Sequence, residues 1–169
     1  MSTVAASDRV RRAWDVLRGV ADPEIPVLSL CDLGIVRDVR EQGDMLDVVL
    51  TPTYSGCPAT EAIERSARDA LHAAGLDPAR IVLQRAPAWS SDWISESGRR
   101  KLRDYGIAPP PVCAGEAVVT FHRRTAAAPA CPRCSSADTE QISAFGATAC
   151  KALWRCRACG EPFEFFKPI

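Results

Sequence analysis

The sequence predicts an α+β domain, a small mixed sheet with helices layered on it in the manner of an α/β sandwich, followed by a C-terminal β zinc ribbon. Three observations lead to that class. Helical and strand-like periodicities alternate through residues 8–121, the pattern of helices packed on a sheet. Two Cys-x2-Cys pairs follow, at 131–134 and 156–159. Between these regions, residues 122–130 are rich in Arg, Thr and Ala, carry one proline and show no periodicity. The expected organisation is an α/β domain over 1–121, a linker over 122–130 and a ribbon over 131–169.

The elements follow in order. Ser7 is placed to cap a first helix, whose apolar face is Val10, Ala13, Trp14, Leu17, Val20 and Ala21. Asp22-Pro23 is expected to end it, because a residue before proline is pushed out of helical geometry. Strand-like runs at 35–39 and 45–51, joined by Glu41-Gln42-Gly43-Asp44, read as a hairpin. A second helix should start at Cys57-Pro58 and bury Ala59, Ile63, Ala67, Ala70, Leu71 and Ala74, with Gly75 as its stop. A third strand is expected over 80–85. A third helix carried by Ile94, Leu102 and Tyr105 comes next, then a triple proline at 109–111 and a last strand over 117–121.

Composition narrows the function classes. The chain has 169 residues, room for one ordinary domain plus a small appendage. Its 21 basic residues balance 21 acidic ones, so no global field favours nucleic acid or an anionic membrane surface. No apolar run approaches the ~20 residues that span a bilayer. The first eight residues lack the basic and apolar segments of a secretory signal, so a cytoplasmic location is expected. In a reducing compartment, eight cysteines read as ligands or reactive thiols before disulfides.

The two knuckles, Cys131-Pro132-Arg133-Cys134 and Cys156-Arg157-Ala158-Cys159, are separated by 21 residues. Each bends the chain so that two thiolates converge, and two knuckles complete a tetrahedron around a metal ion. One zinc ion per chain is the expected occupant, with iron in a rubredoxin-like site or a cluster as the alternative. All four positions are filled by protein, so the metal is structural. Four thiolates on a divalent ion leave a charge of about −2. Arg133, Lys151, Arg155 and Arg157 are close enough in sequence to offset it. Residues 131–169 are too few to fold on an apolar core alone, which makes the metal a staple. Cys150 lies outside both knuckles; it reads as a small buried residue of the ribbon hairpin, or as a spare thiol for metal transfer.

In the first domain Cys57 stands out. With Pro58 as first helical residue, Cys57 takes the N-cap, where unpaired N–H groups and the helix dipole favour its thiolate. Thr51, Thr53, Tyr54 and Ser55 supply hydroxyls along the approach.

The run Thr-Pro-Thr-Tyr-Ser-Gly-Cys-Pro at 51–58, Asp22-Pro23-Glu24 and Asp32-Leu33-Gly34 together resemble the metal–sulfur cluster biosynthesis family over roughly residues 8–121. With the ribbon, Trp-Ser-Ser-Asp-Trp-Ile-Ser at 89–95 and Phe-Gly-Ala-Thr-Ala-Cys-Lys-Ala-Leu at 145–153, the chain resembles the PaaD family, the D component of bacterial phenylacetyl-CoA epoxidase systems. The resemblance implies an accessory protein of phenylacetate catabolism that matures iron or an iron–sulfur cluster in the reductase or di-iron oxygenase component. It makes Cys57, Asp22 and Glu24 a candidate transient iron or cluster site, with Cys31, Cys113, Cys150, Thr51 and Thr53 as further candidates. Asp22 and Glu24 otherwise read as a helix stop and a solvated loop, Cys31 and Cys113 as core or loop residues. Trp89 and Trp93 read as core aromatics or a partner surface. The alternative function is a non-catalytic structural or regulatory subunit of the oxygenase. An enzyme using Cys57 as nucleophile is disfavoured, because neither His72 nor His122 has a context suited to a base for it. A homo-oligomer stays open.

Overall fold

A computed structural model of the chain describes residues 7–54, 56, 58–112 and 128–169. The described chain is a mixed α+β protein with three α-helices and two small sheets. It divides into two compact units, one ending at Gly98 and the other running from Arg99 to Ile169.

In the first unit, helix α1 (Asp8–Arg18) is capped as expected: the Ser7 hydroxyl accepts from the Val10 N–H at 3.1 Å. Val10, Ala13 and Leu17 are its buried stripe, one residue per turn of the same face. The helix stops at Gly19, short of Asp22-Pro23, so Ala21 is exposed while Val20 is buried in the turn that follows.

Strands β1 (Val36–Gln42) and β2 (Met45–Leu50) form the expected hairpin, closed by a tighter turn than its four polar residues suggested. Gln42 pairs with Met45 across Gly43-Asp44, and Gly43 takes φ 60°, a left-handed value that glycine adopts without a Cβ penalty. β2 is the central strand, antiparallel to β1 and parallel to β3 (Ala79–Leu83). Both of its faces are covered, so Val49 and even Asp47 are buried along with Leu46, Val48 and Leu50. Asp47 is tolerated because Arg80 grips it at 3.0 and 2.7 Å, holding the carboxyl below its ordinary range.

Helix α2 (Thr60–Ala73) lies between β2 and β3 in sequence and buries Ile63, Ala67 and Leu71. Its cap residue is Ala59, with no side-chain cap bond, and the first intrahelical acceptor is the Ala59 carbonyl, 2.9 Å from the Ile63 N–H. The helix therefore begins three residues after Cys57, and the capping argument for that thiol does not hold.

The second unit contains most of helix α3 (Glu96–Tyr105) and a four-stranded sheet ordered β4-β7-β6-β5. Its strands are β4 (Ile107–Ala108), β5 (Thr139–Ser143), β6 (Lys151–Cys156) and β7 (Pro162–Phe166). Leu102 is fully buried, but Tyr105 is 57 % exposed and does not carry the helix as expected. β5, β6 and β7 are antiparallel neighbours, and β4 adds a short parallel pairing, Ile107 to Glu164 and Ala108 to Phe165. Ala108, Cys131, Cys156, Phe163 and Phe165 make one buried cluster, with Trp154 edge-on to Phe165. The last expected strand, 117–121, lies outside the described residues, as does most of the expected linker.

Candidate functional site

The two knuckles fold by the same local rule. In the first, the Ser135 N–H donates to the Cys131 carbonyl and the Cys131 N–H to the Ser136 carbonyl, both at 2.9 Å. In the second, the Gly160 N–H donates to the Cys156 carbonyl and the Cys156 N–H to the Glu161 carbonyl, again at 2.9 Å. The reversal needs a left-handed residue four places after the first cysteine, supplied by Ser135 at φ 60° and Gly160 at φ 79°. The result is four convergent sulfurs.

The Sγ atoms of Cys131, Cys134, Cys156 and Cys159 all lie within 4.8 Å of one another. Across the knuckles, Cys131 is 3.8 Å from Cys159 and Cys134 is 3.5 Å from Cys156. A tetrahedron with bonds of ~2.3 Å has edges of about 3.8 Å, so the donor set fits zinc.

The basic residues expected to offset the thiolate charge are engaged elsewhere. Arg155 and Arg157 both bind Glu140, with Nε contacts of 2.9 and 3.0 Å, and together they hold that carboxyl below its usual range. Arg133 pairs with Glu161 at 3.3 Å, and Lys151 is held by Glu164 at the other end of β6. What faces the sulfurs is backbone. The Cys159 N–H, with help from that of Ala158, draws the Cys156 thiol down to about 7 despite its burial. The Ser136 N–H acts likewise on Cys134, but thiol–thiol hydrogen bonding to Cys156 and Cys159, with burial, pushes that group up to about 12. Cys134 is thus held protonated at neutral pH beside a Cys156 that ionises readily, and a metal bound by this set displaces the remaining protons.

Cys150 is not part of this cluster. It is buried in the β5–β6 connection, its sulfur 3.0 Å from the Thr148 hydroxyl.

In the first unit, Asp22, Glu24 and Thr51 fall on one hydrogen-bonded loop network. The buried Asp22 carboxylate accepts from the Glu24 N–H at 2.9 Å and the Ile25 N–H at 2.8 Å, closing a turn after α1. That turn is stitched on by the Asp22 N–H to the Leu28 carbonyl at 2.8 Å and by the Ala21–Ser29 bridge. The Leu30 N–H continues to the Val20 carbonyl and the Ile35 N–H to the Leu30 carbonyl, each at 2.9 Å. The Thr51 N–H then reaches the Ile35 carbonyl, also at 2.9 Å. The Asp22 turn and the end of β2 are thereby held in one frame. Thr51 is 1 % exposed, and its hydroxyl has no hydrogen-bond partner among the described residues. A buried hydroxyl left without a partner costs stability. Thr53 is buried and Glu24 half-buried. Cys31 is half-buried, and burial pushes its thiol up to about 11, so it is protonated at neutral pH. Cys57 and Cys113 lie outside the described residues.

Sequence reasoning passed over the part played by Asp32. Its carboxylate binds the Ser29 N–H at 3.0 Å and hydroxyl at 2.9 Å, and the Ser95 hydroxyl at 3.2 Å. The Ser95 N–H returns to the Asp32 carbonyl at 2.8 Å, and the Trp89 indole N–H donates to the Leu33 carbonyl at 2.9 Å. Gly34 (φ 67°) leaves room for Trp93, over whose ring the Arg37 guanidinium lies at 3.6 Å. The Asp-Leu-Gly turn and the tryptophan-bearing segment are two halves of one clamp. Trp89 is core, and Trp93 is half-covered.

Among the described residues no helix is long and apolar enough to cross a membrane. Two family models match the chain: an iron-sulfur cluster assembly protein over residues 11–78, and a PaaD zinc beta ribbon domain over 115–167. A protein of Escherichia coli, described provisionally as the D component of a 1,2-phenylacetyl-CoA epoxidase, is 47 % identical over 97 % of this chain and 96 % of its own. An Fe-S protein maturation auxiliary factor of Porphyromonas gingivalis is 35 % identical over 52 % of this chain and 84 % of its own. A domain of unknown function from Bacillus anthracis shares the fold of the first part, with a TM-score of 0.51 over 56 % of this chain and 91 % of that one, at 23 % identity.

Proposed function

The chain belongs to the PaaD family of phenylacetyl-CoA epoxidase components, and from that membership we propose that it is a non-catalytic accessory protein that helps load iron or an iron–sulfur cluster into another component of such an epoxidase. Its client is the iron–sulfur reductase or the di-iron oxygenase. The observation that carries the reading is the buried Thr51 hydroxyl at the end of β2, without a partner among the described residues and joined through the backbone to the Asp22 turn. This framework lies within the stretch matched by the assembly-protein family, and it leads in sequence directly to Cys57. Two carboxylates and a thiolate form an incomplete ligand set, which suits a metal that is held briefly and passed on. Cys57 is the soft ligand of that set, with Asp22 and Glu24 as its oxygen donors. Cys31, kept protonated by its burial, contributes least.

The ribbon holds one structural zinc ion through Cys131, Cys134, Cys156 and Cys159. Zinc supplies no open coordination position there, and the chain's own residues supply two fixed turns and a backbone N–H environment that stabilises the thiolates. Its role is to staple the β5–β6–β7 sheet as a rigid surface for the client.

Anaerobic purification from iron-supplied cells, followed by zinc, iron and sulfide analysis of wild type and Cys57→Ser, tests the reading. One zinc per chain in both proteins, with iron present only in wild type, is the expected result. Equal iron in both would remove Cys57 from the site.

A further inference from the structure

The four-cysteine cluster is unevenly protected. Cys131 is 2 % exposed and Cys156 is fully buried, whereas Cys134 and Cys159 are exposed. Each exposed cysteine has a buried neighbour from the opposite knuckle: the sulfurs of Cys131 and Cys159 lie 3.8 Å apart, and those of Cys156 and Cys134 lie 3.5 Å apart. The knuckles are also joined without metal, because Arg133 of the first binds Glu161 just after the second at 3.3 Å.

We propose that this cluster is a peroxide-responsive switch, in which oxidation of the exposed cysteines releases zinc and leaves the cross-knuckle disulfides Cys131–Cys159 and Cys134–Cys156. The inference rests on the zinc reading above. Oxidation of cysteine follows thiolate character and access: a bound zinc ion would keep all four sulfurs deprotonated, while only two of the four residues are exposed. The Cys159 thiolate attacks one oxygen of hydrogen peroxide. The O–O bond breaks, hydroxide leaves and takes up a proton as water, and sulfur is oxidised to sulfenic acid. The buried Cys131 thiolate then attacks that sulfur. The S–S bond forms as the S–O bond breaks, and the departing hydroxide becomes a second water. Cys134 and Cys156 repeat the sequence with a second peroxide. In sum, four thiolates, two peroxides and four protons give two disulfides, four waters and one released zinc ion.

Cross-knuckle closure has a structural consequence that closure within a knuckle lacks. Zinc ties the 131–135 turn to the β6–β7 connection, and disulfides between those same turns preserve the tie. The sheet survives with one staple exchanged for another. Disulfides within each knuckle would leave the two turns tied by the packing of Cys131 against Cys156 and by the Arg133–Glu161 pair, which is exposed and weak.

The test uses the full-length zinc-loaded protein, with zinc quantified first. Hydrogen peroxide is added stepwise, released zinc is followed with a colorimetric chelator, and disulfides are mapped by mass spectrometry of non-reduced digests. The expected result is loss of the zinc ion at two equivalents of peroxide per chain, the two cross-knuckle disulfides, an unchanged far-ultraviolet circular dichroism spectrum, and rebinding of zinc after reduction. Zinc retained under excess peroxide, or disulfides within the knuckles, would overturn the switch while leaving zinc as the resident metal. A chain that binds no zinc under reducing conditions would overturn the zinc reading and the switch with it.

Discussion

Lys151 Nζ lies 2.6 Å from Glu164 Oε2, with the lysine side chain only 5 % exposed, and this pair governs the tip of the ribbon. The other Glu164 oxygen accepts from the Ala147 N–H at 2.8 Å, and Gly146 sits so close that a Cβ there would fall 2.7 Å from it. Breaking a buried pair strands one charge, which costs more than the pair contributes. Lys151→Ala is expected to destabilise the second unit by ~3 kcal/mol, the low end for such pairs because Glu164 keeps 24 % exposure. Lys151→Met, which retains the volume, should lose less than Lys151→Ala. Urea denaturation of the zinc-loaded protein, followed by tryptophan fluorescence, checks the order of the two variants.

Gly34 makes the clamp between the Asp-Leu-Gly turn and the tryptophan segment possible. A Cβ on it would stand 2.6 Å from the Trp93 carbonyl oxygen and 2.8 Å from the Trp93 Cβ, in a backbone at φ 67°. Overpacking costs about 1–3 kcal/mol and left-handed strain about 1–2 kcal/mol for a non-glycine residue. Gly34→Ala should therefore lower the melting temperature of the first unit, while zinc content stays at the wild-type level.

Asp47 gives the first unit a pH dependence of fixed sign. Its folded-state pKa is lowered by Arg80, so its contribution is present above the unfolded value and lost as pH falls through the folded one. Asp47→Asn is expected to be less stable than wild type at neutral pH. The gap should close on acidification below the ordinary carboxylate range. Denaturation midpoints of both proteins from neutral to acidic pH measure it, and a gap that widens in acid would contradict the assignment.

Thr51 separates function from stability. The Thr51 hydroxyl, buried and without a partner among the described residues, is a cost to the fold, and Thr51→Val removes it at nearly constant volume. The variant should melt at or above the wild-type temperature and yet support less iron loading of the client. Lower stability with full client loading would mean that the hydroxyl serves the fold alone.

What was legible in the sequence was what is local. Ser7 and the Val10–Ala13–Leu17 stripe announce α1, and the knuckle spacing announces four converging sulfurs, because caps, helical faces and tight turns depend on residues a few positions apart. Contacts between distant segments were not legible. Nothing near Ile107 marks it as the partner of Glu164 in another part of the chain. The arginines around the cysteines looked like counter-ions by proximity in sequence, but strand pairing turns Arg155 and Arg157 onto Glu140. The N-cap expected at Cys57 failed for a related reason: proline marks the neighbourhood of a helix start, and here Ala59 still intervenes before Thr60 opens the helix. Thr51 stands out in the sequence for its place in a motif, whereas the want of a partner for its hydroxyl among the described residues is a tertiary fact that no periodicity encodes.

The most direct test is the iron content of the epoxidase components purified from cells that supply this protein as wild type, as Cys57→Ser, or not at all. Cys57→Ser, with its zinc ribbon intact and its melting temperature unchanged, is expected to leave the client as poor in iron as the cells that lack the protein. Full iron and full epoxidase activity with Cys57→Ser would contradict the loading role, and would favour a structural subunit whose only metal is the zinc of its ribbon.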